Sequence, residues 1–128
     1  MLVGEMGFDG KVKESYNPIR KPAHYFHELS MDKKNELIKK DPRFGRIVCR
    51  CEGITEGEIV EAIHTNPKAT DVDGVKRRTR SGMGRCQGGF CSPTVVEILA
   101  RENGCAFEDV TKCGKGSIIN YGKTKGEN

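Results

Sequence analysis

The sequence predicts a small protein of short helices around a thin apolar core, held together by a metal site. Three observations carry this prediction. Capping and stop signals bracket four stretches, at about 31–40, 55–64, 71–79 and 92–104. Hydrophobic residues are only 35% of 128 and there is no Trp, so apolar burial alone is thin and a site that cross-links loops is expected to add to it. Four cysteines form two close pairs, Cys49-Arg50-Cys51 and Cys86-Gln87-Gly88-Gly89-Phe90-Cys91. The gap between the pairs is 34 residues, long enough for two helices.

Residues 1–29 show little periodicity and are punctuated by Gly4, Gly7, Gly10, Pro18 and Pro22, so they read as an extended arm. His24 and His27 form H-x-x-H, but no further ligands stand nearby and both read as surface histidines. Ser30 is expected to cap the first helix, with Asp32 in its first turn and Lys39 and Lys40 in its last. Asp41-Pro42 stops it, because a residue before proline avoids the helical region. Leu37 and Ile38 give it only a narrow apolar stripe, fit for a surface or for docking.

Gly45 to Val48 is an extended lead into Cys49. Thr55 and Glu58 then make a capping box, followed by Ile59, Ala62 and Ile63 on an inner face and Asn66-Pro67 as a stop. His64 falls at the C-terminal end, where a cation suits the helix dipole. Thr70 to Asp73 gives the third start signal, with Val72 and Val75 facing inward. Lys76, Arg77, Arg78 and Arg80 line that helix as a solvated basic face or as compensation for a nearby anion; nucleic-acid binding would want interleaved aromatic residues, which are absent. Ser92-Pro93 opens the last helix, with Ser92 as the expected cap, Val95, Val96, Ile98 and Leu99 apolar, and Gly104 ending it. Cys105 and Cys113 read as buried or incidental thiols. Residues 114–128 read as a short docked segment at Ile118-Ile119 and a frayed end.

Six cysteines also allow three disulfides, but no secretory leader is visible and no apolar run approaches the ~20 residues of a membrane helix. The expected setting is cytoplasmic, without membrane insertion, where paired thiols serve metal or redox chemistry. A net charge of +4 is mild and does not by itself imply nucleic acid as a partner.

Four gathered thiolates suit zinc or an iron–sulfur cluster, and the ligand candidates are Cys49, Cys51, Cys86 and Cys91. The spacing matches neither plant-type ferredoxins nor the usual zinc-finger pairs. A [2Fe-2S] centre on four thiolates carries about two formal negative charges, and about three when reduced. Arg50 and Arg85 beside the cysteines, and the positive end of the helix opening at Ser92, offset such charge. Gly84, Gly88 and Gly89 let backbone N–H groups turn toward sulfur and the chain approach closely. Zinc would take the same ligands without redox function, organising a domain or subunit interface, and protein prepared in air is open to zinc uptake.

Two long stretches carry a family resemblance. Ile47-Val48-Cys49-Arg50-Cys51-Glu52-Gly53-Ile54-Thr55-Glu56-Gly57-Glu58-Ile59 is one, and Asp71 through Arg85 to Cys91 is the other. Together they resemble the bacterioferritin-associated-ferredoxin-like [2Fe-2S] domain, in the version found at the C-terminus of FAD-dependent anaerobic glycerol-3-phosphate dehydrogenases. The resemblance implies a small, mostly α fold of short, helix-turn-helix-like helices with the cluster held in the cysteine loops. It implies that Cys49, Cys51, Cys86 and Cys91 are the ligands, and it leaves Cys105 and Cys113 outside the motif. It divides the chain into 1–45, an arm and linker helix from a missing FAD domain; 46–112, the [2Fe-2S] domain; and 113–128, a tail. Asn17 to Lys21 resembles the family's linking segment. FAD would belong to the parent's missing domain, since no G-x-G-x-x-G follows a strand here. The implied partners are that FAD domain and a downstream electron acceptor, either a protein or a quinone-linked subunit. The isolated chain is expected to have no catalytic activity of its own.

Overall fold

The computed structural model of the chain describes residues 7, 13–19, 25–122 and 124–125. His24, most of the arm before it and the last three residues lie outside that set. Among the described residues, four α-helices and one two-stranded hairpin make up the regular structure: α1 (Met31–Lys40), β1 (Ile47–Cys49), β2 (Ile54–Thr55), α2 (Glu56–His64), α3 (Val72–Thr79) and α4 (Ser92–Asn103). Short 3₁₀ turns precede α1 at Phe26–Glu28, follow it at Pro42–Gly45, and follow α4 at Phe107–Asp109. The fold is mainly helical, as expected, with the hairpin as an addition. Its strands pair antiparallel, Ile47 with Thr55 and Cys49 with Ile54, with an irregularity between them. No helix among the described residues is long and apolar enough to cross a membrane.

Helices α2, α3 and α4 pack on one another and make the core. Ile59 and Ile63 from α2, Val75 from α3 and Leu99 from α4 are fully buried. The helix starts explain the placement. Thr55 and Glu58 form the expected capping box, which also links β2 directly to α2. Asp71 caps α3 by accepting from the Gly74 N–H. Two expected caps are not made. Ser30 stands before α1 but its side chain makes no capping bond. At α4 the cap position is held by Cys91, so Ser92 is the first helical residue and not the cap. Proline at the first turn fixes that start without a side-chain acceptor.

The segment before the hairpin is drawn onto the helical core. Phe44, from the turn after α1, is 3% exposed, and its ring lies over Gly57 on α2. Phe26 packs beside Phe44, ring centroids 6.2 Å apart. Glu58 has both oxygens in use: one accepts from the Thr55 N–H and hydroxyl at 2.7 and 2.8 Å, the other from the Phe26 N–H at 2.9 Å. At the other end, the Val72 and Asp73 N–H groups donate to the Thr111 and Lys112 carbonyls, and Lys112 pairs with Asp73. The tail docks through a bridge between Thr111 and Ile118, while Ile118 and Ile119 remain about half exposed. Cys105 and Cys113 are both exposed, against the reading of either as a buried thiol.

A chain of charges crosses the helices. Arg43 holds Asp41, Arg101 holds Glu56 and Glu102, and His64 meets Glu102 at 2.7 Å. The Glu102 carboxyl is held below the ordinary value of 4.5, first by its hydrogen bond to His64 and then by Arg101. Asp41 beside Arg43 and Asp73 beside Lys112 are lowered in the same way. A carboxylate with a depressed folded value adds stability that is complete above its unfolded value and lost as pH falls through the folded one. The melting temperature is therefore expected to fall from about pH 5 downward. Glu102→Gln should melt lower at neutral pH and show a shallower acid decline, as thermal melts at stepped pH will read.

Candidate metal centre

The hairpin places the first cysteine pair. Cys49 ends β1 and turns inward, 1% exposed, while Cys51 lies in the turn beyond it and is exposed. The loop between α3 and α4 places the second. Cys86 is partly exposed within it, and Cys91, 3% exposed, closes it at the start of α4. All four thiols line one cavity of about 600 Å³, together with Arg46, Ile47, Val48, Arg50, Glu56, Phe90 and Thr94.

In space the cysteines pair differently from the sequence. The Cys51 and Cys86 sulfurs are 3.7 Å apart, one from each sequence pair. Two thiolates on one tetrahedral metal, at metal–sulfur distances of ~2.3 Å, sit about 3.8 Å apart. The other doublet is buried: Cys91 lies beside Cys49, and burial first, then the Cys49 and Cys86 thiols, push the Cys91 thiol up. Ser81 Oγ donates to Cys91 Sγ at 3.8 Å and opposes that rise. Among the described residues no three or more Cys, His, Asp or Glu close round a point as a single ion requires. The donor set is thus two sulfur doublets, one outer and one inner, facing a shared cavity.

Backbone amides supply the polar side of the outer doublet. The Phe90 N–H is the largest influence lowering the Cys86 thiol, followed by Cys51 and by the Gly88 and Gly89 amides. The loop reaches this shape by two successive left-handed residues, Gln87 at φ 51° and Gly88 at φ 87°. Glycine bears that conformation without cost, whereas Gln87 is held in it by its own side chain. Its Nε2 donates to the Gly84 and Met83 carbonyls at 3.0 and 3.3 Å. A side chain at Gly88 would also meet Ser92 Oγ at 2.6 Å. Gly84 serves close approach: a Cβ there would lie 2.2 Å from the Cys51 Cβ. Gly89 is less constrained, its nearest would-be contact being the Cys86 carbonyl at 3.2 Å.

The expected charge-balancing residues divide. Arg50 lines the cavity, whereas Arg85 is exposed outside its wall. Arg80 instead pairs with Glu52 at 2.9 Å and so straps the hairpin turn to the second cysteine loop. Arg78 donates to the Gly74 and Pro67 carbonyls, so part of the basic run is spent inside the fold. His64 faces Glu102, away from the cavity wall. Sequence reasoning missed Gln87, Ser81 and Glu56. Gln87 had one available signal, a non-glycine residue inside a glycine-rich turn; Ser81 and Glu56 had none that separated them from ordinary loop and first-turn residues.

These donors fit an iron–sulfur core: thiols alone, in two doublets, with amides directed at sulfur and a cap residue that is itself a cysteine.

Comparison with known proteins follows the same lines. Residues 47–101 match the family described as "BFD-like [2Fe-2S] binding domain". The chain is 63% identical over 115 residues to a "Glycerol 3-phosphate dehydrogenase" of Caloramator mitchellensis, covering 90% of this chain and 24% of that protein. It is 34% identical over 86 residues to an anaerobic glycerol-3-phosphate dehydrogenase subunit of Escherichia coli strain K12, covering 67% of this chain and 15% of the relative. It is 45% identical over 64 residues to an opine oxidase subunit of Rhizobium meliloti, covering 50% and 12%. The chain therefore spans about a quarter or less of the length of these relatives. No solved structure matches it.

Proposed function

We propose, from the match of residues 47–101 to BFD-like [2Fe-2S] binding domains, that the chain is the electron-transfer module of an FAD-dependent, glycerol-3-phosphate dehydrogenase-like oxidoreductase. The observation that carries this reading is the convergence of Cys49, Cys51, Cys86 and Cys91 on one cavity inside the matched segment. Cys51 with Cys86 would hold one iron, and Cys49 with Cys91 the other. When bound, the cluster supplies one-electron transfer at an interface between a flavin and an acceptor. The cysteine loops position the ligands, and the amides of residues 88–90 offset the negative charge on the outer sulfurs. Because Cys51 is exposed, the outer doublet is the side on which electrons enter and leave.

In the parent enzyme the donor is the reduced flavin of a preceding domain, with residues 1–45 as the connection. The acceptor is a downstream protein or quinone-linked subunit. Relatives named as dehydrogenase and oxidase subunits support that placement. The zinc alternative would use the same four thiols without redox function, and metal analysis separates the two readings.

Anaerobic reconstitution tests the reading. Two irons and two acid-labile sulfides per chain are expected, with visible absorption that bleaches on reduction and an EPR signal from the reduced state. Protein that stays colourless and iron-free, or that takes up stoichiometric zinc under iron-replete anaerobic conditions, would overturn it. The isolated chain should not oxidise glycerol 3-phosphate; turnover without an added flavoprotein domain would contradict the division of labour.

A further inference from the structure

Beside the four cysteines, the cavity wall carries one buried carboxylate. Glu56, the first residue of α2, is 3% exposed and lines the same cavity as the four cysteines. Buried carboxylates are rare unless paired, and this one is paired twice. Arg46 Nη1 lies 2.7 Å from one oxygen and Arg101 Nη2 lies 2.8 Å from the other. The two arginines are themselves unequal. Arg46 is largely exposed, while Arg101 is shared with Glu102 at 2.9 Å. Glu102 in turn is held by His64 at 2.7 Å and approached by Arg43 at 4.0 Å. The carboxylate at the cavity wall is therefore fixed from both sides.

A fixed negative charge beside a site that gains an electron opposes the gain; the cations that hold it favour the gain. We propose that Glu56, held by Arg46 and Arg101, is a positioning residue that sets the reduction potential of the metal centre. This rests on the reading of the centre as a [2Fe-2S] site. Glu56 touches no sulfur in the proposal. It acts through its charge across the cavity, and the arginines determine how much of that charge is felt.

The structure makes the effect signed. Glu56→Gln removes the negative charge from the wall and leaves Arg46, also in the wall, and Arg101 behind it less opposed, so the midpoint potential should rise. Arg101→Gln, or Arg46→Gln, removes a cation from the same triad and should lower it. A tenfold change in the reduction equilibrium constant is expected in each direction, equal to about 59 mV for a one-electron couple. A purely structural role for the triad does not produce shifts of opposite sign.

The experiment is an anaerobic redox titration of the reconstituted chain and the three variants, followed by visible absorption and EPR, with iron content and melting temperature measured in parallel. Opposite shifts in Glu56→Gln and the arginine variants support the proposal. Midpoints that stay fixed, or that move the same way in all variants, overturn it. Should Glu56→Gln fail to retain its cluster, the exposed Arg46→Gln decides alone: a lowered midpoint supports the proposal and an unchanged one overturns it. A wild-type chain that takes up no cluster is a failure of the functional reading, and is distinguished by its iron content.

Discussion

Gly84→Ala is expected to lose most of its iron. The added methyl would lie 2.2 Å from the Cys51 Cβ and 3.4 Å from its Cα, with Glu52 Oε1 at 3.3 Å. No rotamer change relieves this, because the obstructing atom is attached directly to the backbone. Either the hairpin turn or the second cysteine loop must move, and both are fastened by the Arg80–Glu52 pair. The distance between the Cys51 and Cys86 sulfurs depends on that approach. Iron and sulfide quantitation after anaerobic reconstitution, beside wild-type, is the measurement. A variant that loads fully would show that the two loops tolerate displacement and that their close contact is not needed for the outer doublet.

Gly57→Ala should be the most damaging single methyl in the helical core. A Cβ there would sit 2.5 to 2.7 Å from three atoms of the Phe44 ring. Alanine favours a helix by up to about 1 kcal/mol over glycine. Overpacking a buried ring costs about 1–3 kcal/mol, and this overlap is severe enough to place the cost at the upper end. The net expectation is a loss of about 2 kcal/mol, read by denaturant unfolding at constant iron content. A second substitution separates the cause. In a Phe44→Leu background the obstruction is smaller, so the added cost of Gly57→Ala should shrink by about 1 kcal/mol or more. Equal costs in both backgrounds would place the strain elsewhere than at the ring.

Much of the helical part was legible because its signals are local. Thr55 with Glu58, Asp71 before Val72, and Pro93 in a first turn are each decided within four residues. The four cysteines stand out in the sequence because two tight pairs at long separation are rare by chance, and all four line one cavity. What stayed hidden depends on contacts between distant segments. The hairpin is only three residues against two, too short for alternation to register. The crossed pairing of Cys51 with Cys86 and of Cys49 with Cys91 follows from how the loops meet, which spacing does not encode. Ser92 reads as a cap by type, but the helix begins one position earlier than a serine cap allows, leaving Cys91 in that place. Glu56 reads as an ordinary acidic first-turn residue; its burial comes from Arg46 and from Arg101, 45 positions away.

The double use of Glu58 bears on how this module can be excised or grafted. A fragment cut to the matched boundaries, 47–101, would discard Phe26 and Phe44. It would leave one oxygen of a nearly inaccessible carboxylate without its donor and strip the aromatic cover from Gly57. Transplants of the module should therefore begin upstream of Tyr25, so that the preceding segment travels with the sulfur loops as one cassette.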